Sequence, residues 1–195
     1  MNWIACLIPV GAALAGFVDA PPQTAAECID RGMQAFQANK VAESLRDFDR
    51  AAELDPAGAP FLWQRGISDY YAGKFQEGRR QFESHKTVNP DDVENAAWHF
   101  LCVARADGLD AARKSLIKID VTRDSRVPMA EIYEFYAGRG SAEAVLAAAK
   151  KENTERARMY AHLYLGLYDE AAGDLSKARD HLRQAAAARL EKDYM

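Results

Sequence analysis

Residues 25–58, AAECIDRGMQAFQANKVAESLRDFDRAAELDPAG, and residues 59–92, APFLWQRGISDYYAGKFQEGRRQFESHKTVNPDD, are two copies of one pattern. Gly32 and Gly66, Phe48 and Phe82, and Pro56 and Pro90 are each 34 residues apart, and Arg31 with Arg65 and Lys40 with Lys74 keep the same spacing. That many coincident offsets mark an internal repeat, and its period is that of a helix–turn–helix unit. Within the first copy, Ala26 to Ala38 and Val41 to Leu54 carry apolar residues at helical spacing. Asn39 and Lys40 supply the turn, with Asn39 aligned to Gly73, and Pro56 stops the second helix. Each copy therefore predicts a helical hairpin.

The end of the chain returns to the pattern in YAHLYLGLYDEAAGDLSKARDHLRQAAA, where, counting from Met159, Gly166, Gly173, Ala178, Leu182 and Ala185 take the repeat's small and apolar positions. Gly66 and Gly166 are 100 residues apart, two short of three periods, so two degenerate units with one small deletion fill the interval. The first reads as helices from Val93 to Ala106 and Leu109 to Ile119 across Asp107-Gly108, with Asp92 as N-cap. The second reads as Met129 to Ala137 and Ser141 to Lys151 across Gly138-Arg139-Gly140. Arg123-Asp124-Ser125-Arg126, ahead of Val127-Pro128, predicts the exposed interior loop most open to proteases. The array thus divides into units of about 25–58, 59–92, 93–126, 127–158 and 159–192, the third and fourth degenerate.

This pattern resembles the tetratricopeptide repeat, through Gly32, Phe48, Ala51 and Pro56 in the first unit and Gly66, Gly78, Phe82 and Pro90 in the second. His85 departs from it, standing where a small residue is usual. The resemblance implies an all-α fold, a right-handed superhelix of about five hairpins forming an α-solenoid, with a concave groove lined by the first helix of each unit. Its inward positions select Ile29, Met33, Phe36 and Gln37, then Trp63, Ile67, Tyr70 and Tyr71, and continue through Tyr160, Leu163, Leu167 and Glu170. Met33, Phe36, Trp63, Ile67, Tyr70, Tyr71, Tyr160 and Leu163 are the candidate contacts for a protein or peptide ligand, because Trp and Tyr bury large area for little lost rotamer entropy. Two other readings of the stripe stand beside this one: packing against neighbouring helices, and self-association into a homodimer through the same surface. The residues at the positions of the carboxylate clamp for heat-shock-protein tails are Ile29, Met33, Gln64, Glu94 and Trp98, so no such clamp is present.

Chemistry finds little purchase. The four His, at 85, 99, 162 and 181, form no His-Glu-x-x-His pair, and His99 with Cys102 is two ligands short of a closed zinc site. Gly138-Arg139-Gly140-Ser141 reads as a turn with a Ser N-cap, since the Lys and spacing of a phosphate loop are missing. Asp47, Asp49, Asp91 and Asp92 fit solvated helix faces or N-termini. No cofactor or metal is expected, and a catalytic site would have to hide in the degenerate residues 93 to 158. A net charge of -4, from 25 Lys and Arg against 29 Asp and Glu, argues against nucleic acid as a partner.

Trp3 to Val18, WIACLIPVGAALAGFV, carries no charge and stands apart from the repeats. It is longer than the usual core of a secretory signal yet shorter than the roughly 20 residues of a membrane span. Residues 1–20 read as a cleaved signal peptide, with an uncleaved anchor and a buried helix as alternatives, and residues 21–24 as a linker containing Pro21 and Pro22. The expected location is periplasmic or secreted, or membrane-associated if the leader is retained. Phe17 stands where lipidation would need a Cys after Leu14-Ala15-Gly16, so a lipid anchor is not supported. The three Cys, one of them in the leader, are too few for a disulfide scaffold.

Glu134, Phe135, Tyr136 and Gly138, followed by Tyr164, Leu165 and Gly166 after two good repeats, are similar to the tetratricopeptide lipoproteins of the NlpI type in bacterial envelopes. That resemblance implies a dimeric envelope adaptor for peptidoglycan hydrolases or their proteases. It also leaves two expectations for the end at Tyr194-Met195: a last helix that caps itself, or a longer natural chain.

Overall fold

The computed structural model describes residues 24–188, so the leader, most of the linker and the last residues of the fifth unit lie outside the described residues. The described chain is all-α. Its ten helices are α1 (Ala25–Gln37), α2 (Val41–Leu54), α3 (Trp63–Tyr71), α4 (Phe75–His85), α5 (Val93–Asp107), α6 (Leu109–Ser115), α7 (Met129–Tyr136), α8 (Ala142–Glu152), α9 (Glu155–Ala172) and α10 (Leu175–Ala186). Short 3₁₀ turns lie at Ala59–Phe61 and Val121–Arg123. Consecutive helices pack in five pairs, α1 on α2, α3 on α4, α5 on α6, α7 on α8 and α9 on α10. None of the described helices is long and apolar enough to cross a membrane.

Local sequence accounts for most boundaries. Thr24 starts α1 with a capping box, accepting from Glu27 N–H at 3.2 Å while the Glu27 carboxylate takes Thr24 N–H at 3.1 Å. Asp92, Ser141 and Thr154 cap α5, α8 and α9 through their side chains. Four of the five pairs turn alike: Asn39, Gly73, Gly138 and Gly173 have positive φ and share one hydrogen-bond pattern, whereas Gly108 of the α5–α6 turn has positive φ with an extended ψ of 164°. In each of the four, two backbone bonds recur, as in Gly73 N–H to Tyr70 C=O and Lys74 N–H to Asp69 C=O, the pattern that closes a helix with a left-handed residue. Asn39 is where the chain accepts this geometry without glycine, which Asn tolerates better than most residues.

The repeat's glycines sit where an aromatic or large apolar side chain of the paired helix lands. A Cβ built on Gly32 would lie 3.2 Å from the Phe48 ring, on Gly66 2.6 Å from Phe82 Cζ, and on Gly166 2.8 Å from Leu182 Cγ. In all three pairs the glycine and its partner are 16 residues apart. Arg31 and Arg65 reach across the same interval, Arg31 to Asp47 and Arg65 to Gln81, and Arg65 also holds Asp49. Asp47, expected on a solvated face, is buried at 6% exposure with Arg31 forked onto it, because the second helix turns that face toward the first.

Two features of the middle differ from the reading of the sequence. Helix α6 stops at Ser115, four residues before the expected Ile119. Ser115 Oγ donates to the Ala111 carbonyl, Leu116 turns extended, and Ile117 is thereby buried with its carbonyl accepting from Tyr133 O–H at 3.2 Å. In the stretch from Arg123 to Arg126, read as an exposed loop, Arg123 and Ser125 are exposed while Asp124 and Arg126 are drawn into the fold. Arg123 pairs with Asp91, and Arg126 pairs with Asp92, Glu94 and Asp124, whose side chain is only 4% exposed. Three charges of alternating sign that read as solvated in sequence are paired at the N-terminus of α5.

Helix α5 is the hub of the core. Eleven of its side chains, from Val93 to Ala104, are buried, and it packs against α3, α4, α6, α7 and α9. A helix apolar all round is a helix buried all round.

Candidate functional site

A half-open cavity of about 550 Å³ lies between α3, α5 and α9, within the size range of small-ligand pockets. Helical spacing of four aligns Trp63, Ile67 and Tyr71 on the face of α3 that lines it. Phe36 closes one side from the end of α1, Phe61 reaches in from the first 3₁₀ turn, and α9 contributes Met159, Tyr160, Leu163 and Tyr164. Trp98 of α5 joins the walls. Its ring lies 6.1 Å from Tyr71, 6.4 Å from Phe82 and 6.5 Å from Tyr164, centroid to centroid. Phe36 and Tyr71 meet at 5.8 Å. These tilted and offset contacts are the favourable ones for ring quadrupoles, so the wall is held by mutual packing.

One end of the cavity is polar, built from Asp92, Glu94, Asn95 and Arg126. Arg126 donates to Asp124 at 2.7 Å and 2.9 Å, to Asp92 at 2.6 Å, and to Glu94. Tyr164 O–H donates to Glu94 Oε1 at 2.6 Å, and the Arg126 guanidinium stands 5.9 Å from the Tyr160 ring centroid. Burial raises the Glu94 pKa despite these partners, whereas at Asp124 the bonds from Arg126 outweigh burial and hold the carboxyl below its ordinary value. Burial works against the charge on Arg126, yet its carboxylate partners keep its pKa raised. The network sets three carboxylates around one guanidinium.

Six of the eight sequence candidates line this cavity: Phe36, Trp63, Ile67, Tyr71, Tyr160 and Leu163. Ile67 and Tyr160 are buried within its wall, while Tyr71 is 48% exposed at the cavity. Tyr70 and Met33 are elsewhere. Tyr70, only 3% exposed, points into the core against Phe75 and Trp98, under the Arg105 guanidinium. Adjacent helix positions diverge by about 100°, so Tyr70 and Tyr71 cannot share one face. Leu167 is buried, Ile29 packs on the small cluster of Cys28, Ala51 and Leu62, and Glu170 pairs with Arg105 at 2.9 Å.

Sequence reasoning missed Phe61, His85, Asn95 and Arg126 as cavity residues. His85 fills the place of the expected small residue by donating from Nδ1 to the Pro60 carbonyl at 2.9 Å. Glu94 and Trp98 had a signal, since both stand at inward positions of the third unit. Arg126 had none, because it arrives from the linker ahead of α7.

The remaining reactive groups are tied into structure. His99 Nε2 faces Glu83 at 3.3 Å, and burial lowers its pKa. His162 and His181 face each other at 2.9 Å between Nδ1 atoms, so one ring must carry the proton there and the other accept it. The Cys102 thiol, raised by burial, packs beneath Gly78. Among the described residues no group of three or more His, Cys, Asp or Glu is placed to hold a metal ion. The sequence matches no protein-family model.

Proposed function

We propose that this chain is a non-catalytic scaffold, a right-handed superhelix of tetratricopeptide-like hairpins that holds a partner peptide or helix in its aromatic groove. The observation that carries the reading is the cavity itself, where Phe36, Trp63, Tyr71, Trp98 and Tyr160 from four separate helices converge on one space. Aromatic anchors of this kind dominate binding energy at protein interfaces. The recurrent turns at Asn39, Gly73 and Gly173, and the glycine contacts made 16 residues along, support the repeat architecture. The apolar leader and the likeness around Phe135 and Tyr164 support a place in the cell envelope, with peptidoglycan hydrolases or their proteases as the partner class.

A second reading is a structural oligomerisation module. Leu54 and Leu175, 36% and 67% exposed and outside the cavity, favour it as apolar contacts left for another copy.

Crosslinking and pull-down from envelope extracts, with light scattering for mass, separates the two. The comparison variant is Trp63→Ala with Tyr71→Ala, leaving Tyr70 intact because it belongs to the core. A hydrolase or protease captured by the parent and lost by the folded variant supports the scaffold. A stable dimer that captures nothing favours the oligomerisation module.

A further inference from the structure

The polar end of the cavity has properties that its role in packing does not explain. Asn95 is 3% exposed and donates its amide N–H to the Phe82 carbonyl at 3.1 Å, while its Oδ1 is buried with no hydrogen-bond partner. A buried acceptor in that state costs about 1–3 kcal/mol until a donor reaches it. Beside it, Asp92, Glu94 and Asp124 converge on the single guanidinium of Arg126, three carboxylates against one cation. The adjoining wall presents the rings of Trp63, Tyr71 and Trp98, whose faces are electron-rich and attract cations. An unfilled acceptor, an excess of negative charge and aromatic faces all ask for a positively charged donor carried on an apolar stem.

We infer that the cavity is the docking point for a basic side chain of a partner peptide, its Lys or Arg head at Asn95 Oδ1 and Asp92 and its methylene stem along Trp63, Tyr71 and Trp98. This rests on the groove-binding reading above. A peptide, and not a free amine, is the occupant because about 550 Å³ is several times the volume of one side chain, and because Phe61 and Tyr71, 59% and 48% exposed, offer apolar contact to flanking residues. Acidic ligands bring like charge to Asp92 and Glu94 and are disfavoured there.

The test is a positional-scanning library of acetylated, amidated hexapeptides bound to the full chain. Lys or Arg is expected to be enriched at one position beside apolar residues. The best Lys peptide should then bind about tenfold or more tightly than its norleucine counterpart, as a charge-assisted bond requires. In Asp92→Asn, which keeps an N-cap side chain for α5, that ratio should fall to within about twofold of unity. Circular dichroism checks the fold of the variant. If it does not fold, salt decides on the parent: raising NaCl from about 50 to about 500 mM should weaken the Lys peptide alone. Free n-butylammonium should compete weakly, and equal strength would make a small amine the occupant and overturn the peptide inference. Enriched peptides without a basic residue, or a ratio indifferent to both Asp92→Asn and salt, also overturn it, while leaving groove binding intact if Trp63→Ala with Tyr71→Ala still abolishes capture. No bound peptide at all, or binding insensitive to those aromatic changes, overturns both readings.

Discussion

In the pairs α1–α2 and α3–α4 a phenylalanine ring lies against a glycine of the partner helix, Phe48 on Gly32 and Phe82 on Gly66. Helix α5 has no such pairing with α6, and instead buries most of its length against five other helices. The first arrangement is pairwise, so each contact constrains two identifiable positions and leaves a repeat in the sequence. The second is collective. A helix surrounded on all sides needs only apolar side chains of suitable volume, and many sequences meet that condition. Degeneracy of the middle units is therefore what a central position produces, and it need not mean looser structure.

The sharpest way to probe the seam between these regions is Asp69, on α3 where it meets Gly78 of α4 and Cys102 of α5. It is 2% exposed with Oδ2 unpartnered, and burial pushes its pKa from the ordinary 3.8 up to about 7. Its folded-state pKa lies above that of the unfolded chain, so its contribution is fully present below about pH 4 and lost as the pH rises through 7. Urea titrations should show the parent losing about 4 kcal/mol relative to Asp69→Asn between pH 3 and pH 8. A pH-independent difference would mean that Asp69 is solvated and the seam is open.

A smaller effect separates charge from apolar packing in the middle. Arg126→Met leaves the carboxylates of Asp92, Glu94 and Asp124 without their shared cation, and should cost about 2 kcal/mol near pH 7. Arg126 holds the Asp124 carboxyl below its ordinary value, so the part of the cost that comes from Asp124 should be present near neutral pH and lost as the pH falls below about 4. Limited trypsin digestion reports the same event, with the parent resisting cleavage at Arg123 and Arg126 and the variant cut there at Arg123. Equal susceptibility would show that the network does not hold this segment.

The smallest effect compares like with like inside the repeated pairs. Gly66→Ala meets Phe82 Cζ at 2.6 Å, whereas Gly32→Ala meets Phe48 at 3.2 Å, a contact that a few tenths of an ångström relieve. Replacing a helical glycine by alanine gains roughly 1 kcal/mol of propensity, and overpacking opposes it. Thermal denaturation should find Gly66→Ala less stable than Gly32→Ala by about 1 kcal/mol. Equal stabilities would mean that the two rings retreat with equal ease.

Much of the fold was legible because its signals are local. Asp92 and Ser141 announce helix starts through their own side chains, and Gly73 and Gly173 announce ends through a backbone conformation that other residues resist. The early stop of α6 was not legible, because Leu116 to Ile119 continue a helical apolar pattern. What ends the helix is burial of Ile117 beneath Tyr133, sixteen residues onward. The cavity's aromatic side could be read from α3 and α9, since the face of a helix follows from spacing. Tyr70 shows where that method stops. Inward positions span a broad arc, and whether its edge meets a cavity or the core depends on the neighbouring helix, here α5 with Trp98.

By itself the sequence determined that residues 25–58 and 59–92 fold as paired helices, where they turn, and which glycines recur with the repeat, since each of these follows from signals close along the chain. Only the tertiary structure decided that Arg126 closes the aromatic cavity by meeting Asp92 and Glu94, and that Asn95 leaves an acceptor there unfilled. Those contacts join segments some thirty residues apart whose charges, read in order, look like ordinary solvated surface. Burial alone gives them their meaning, because a charge or a carbonyl removed from water must find its partner within the protein or in something the protein binds.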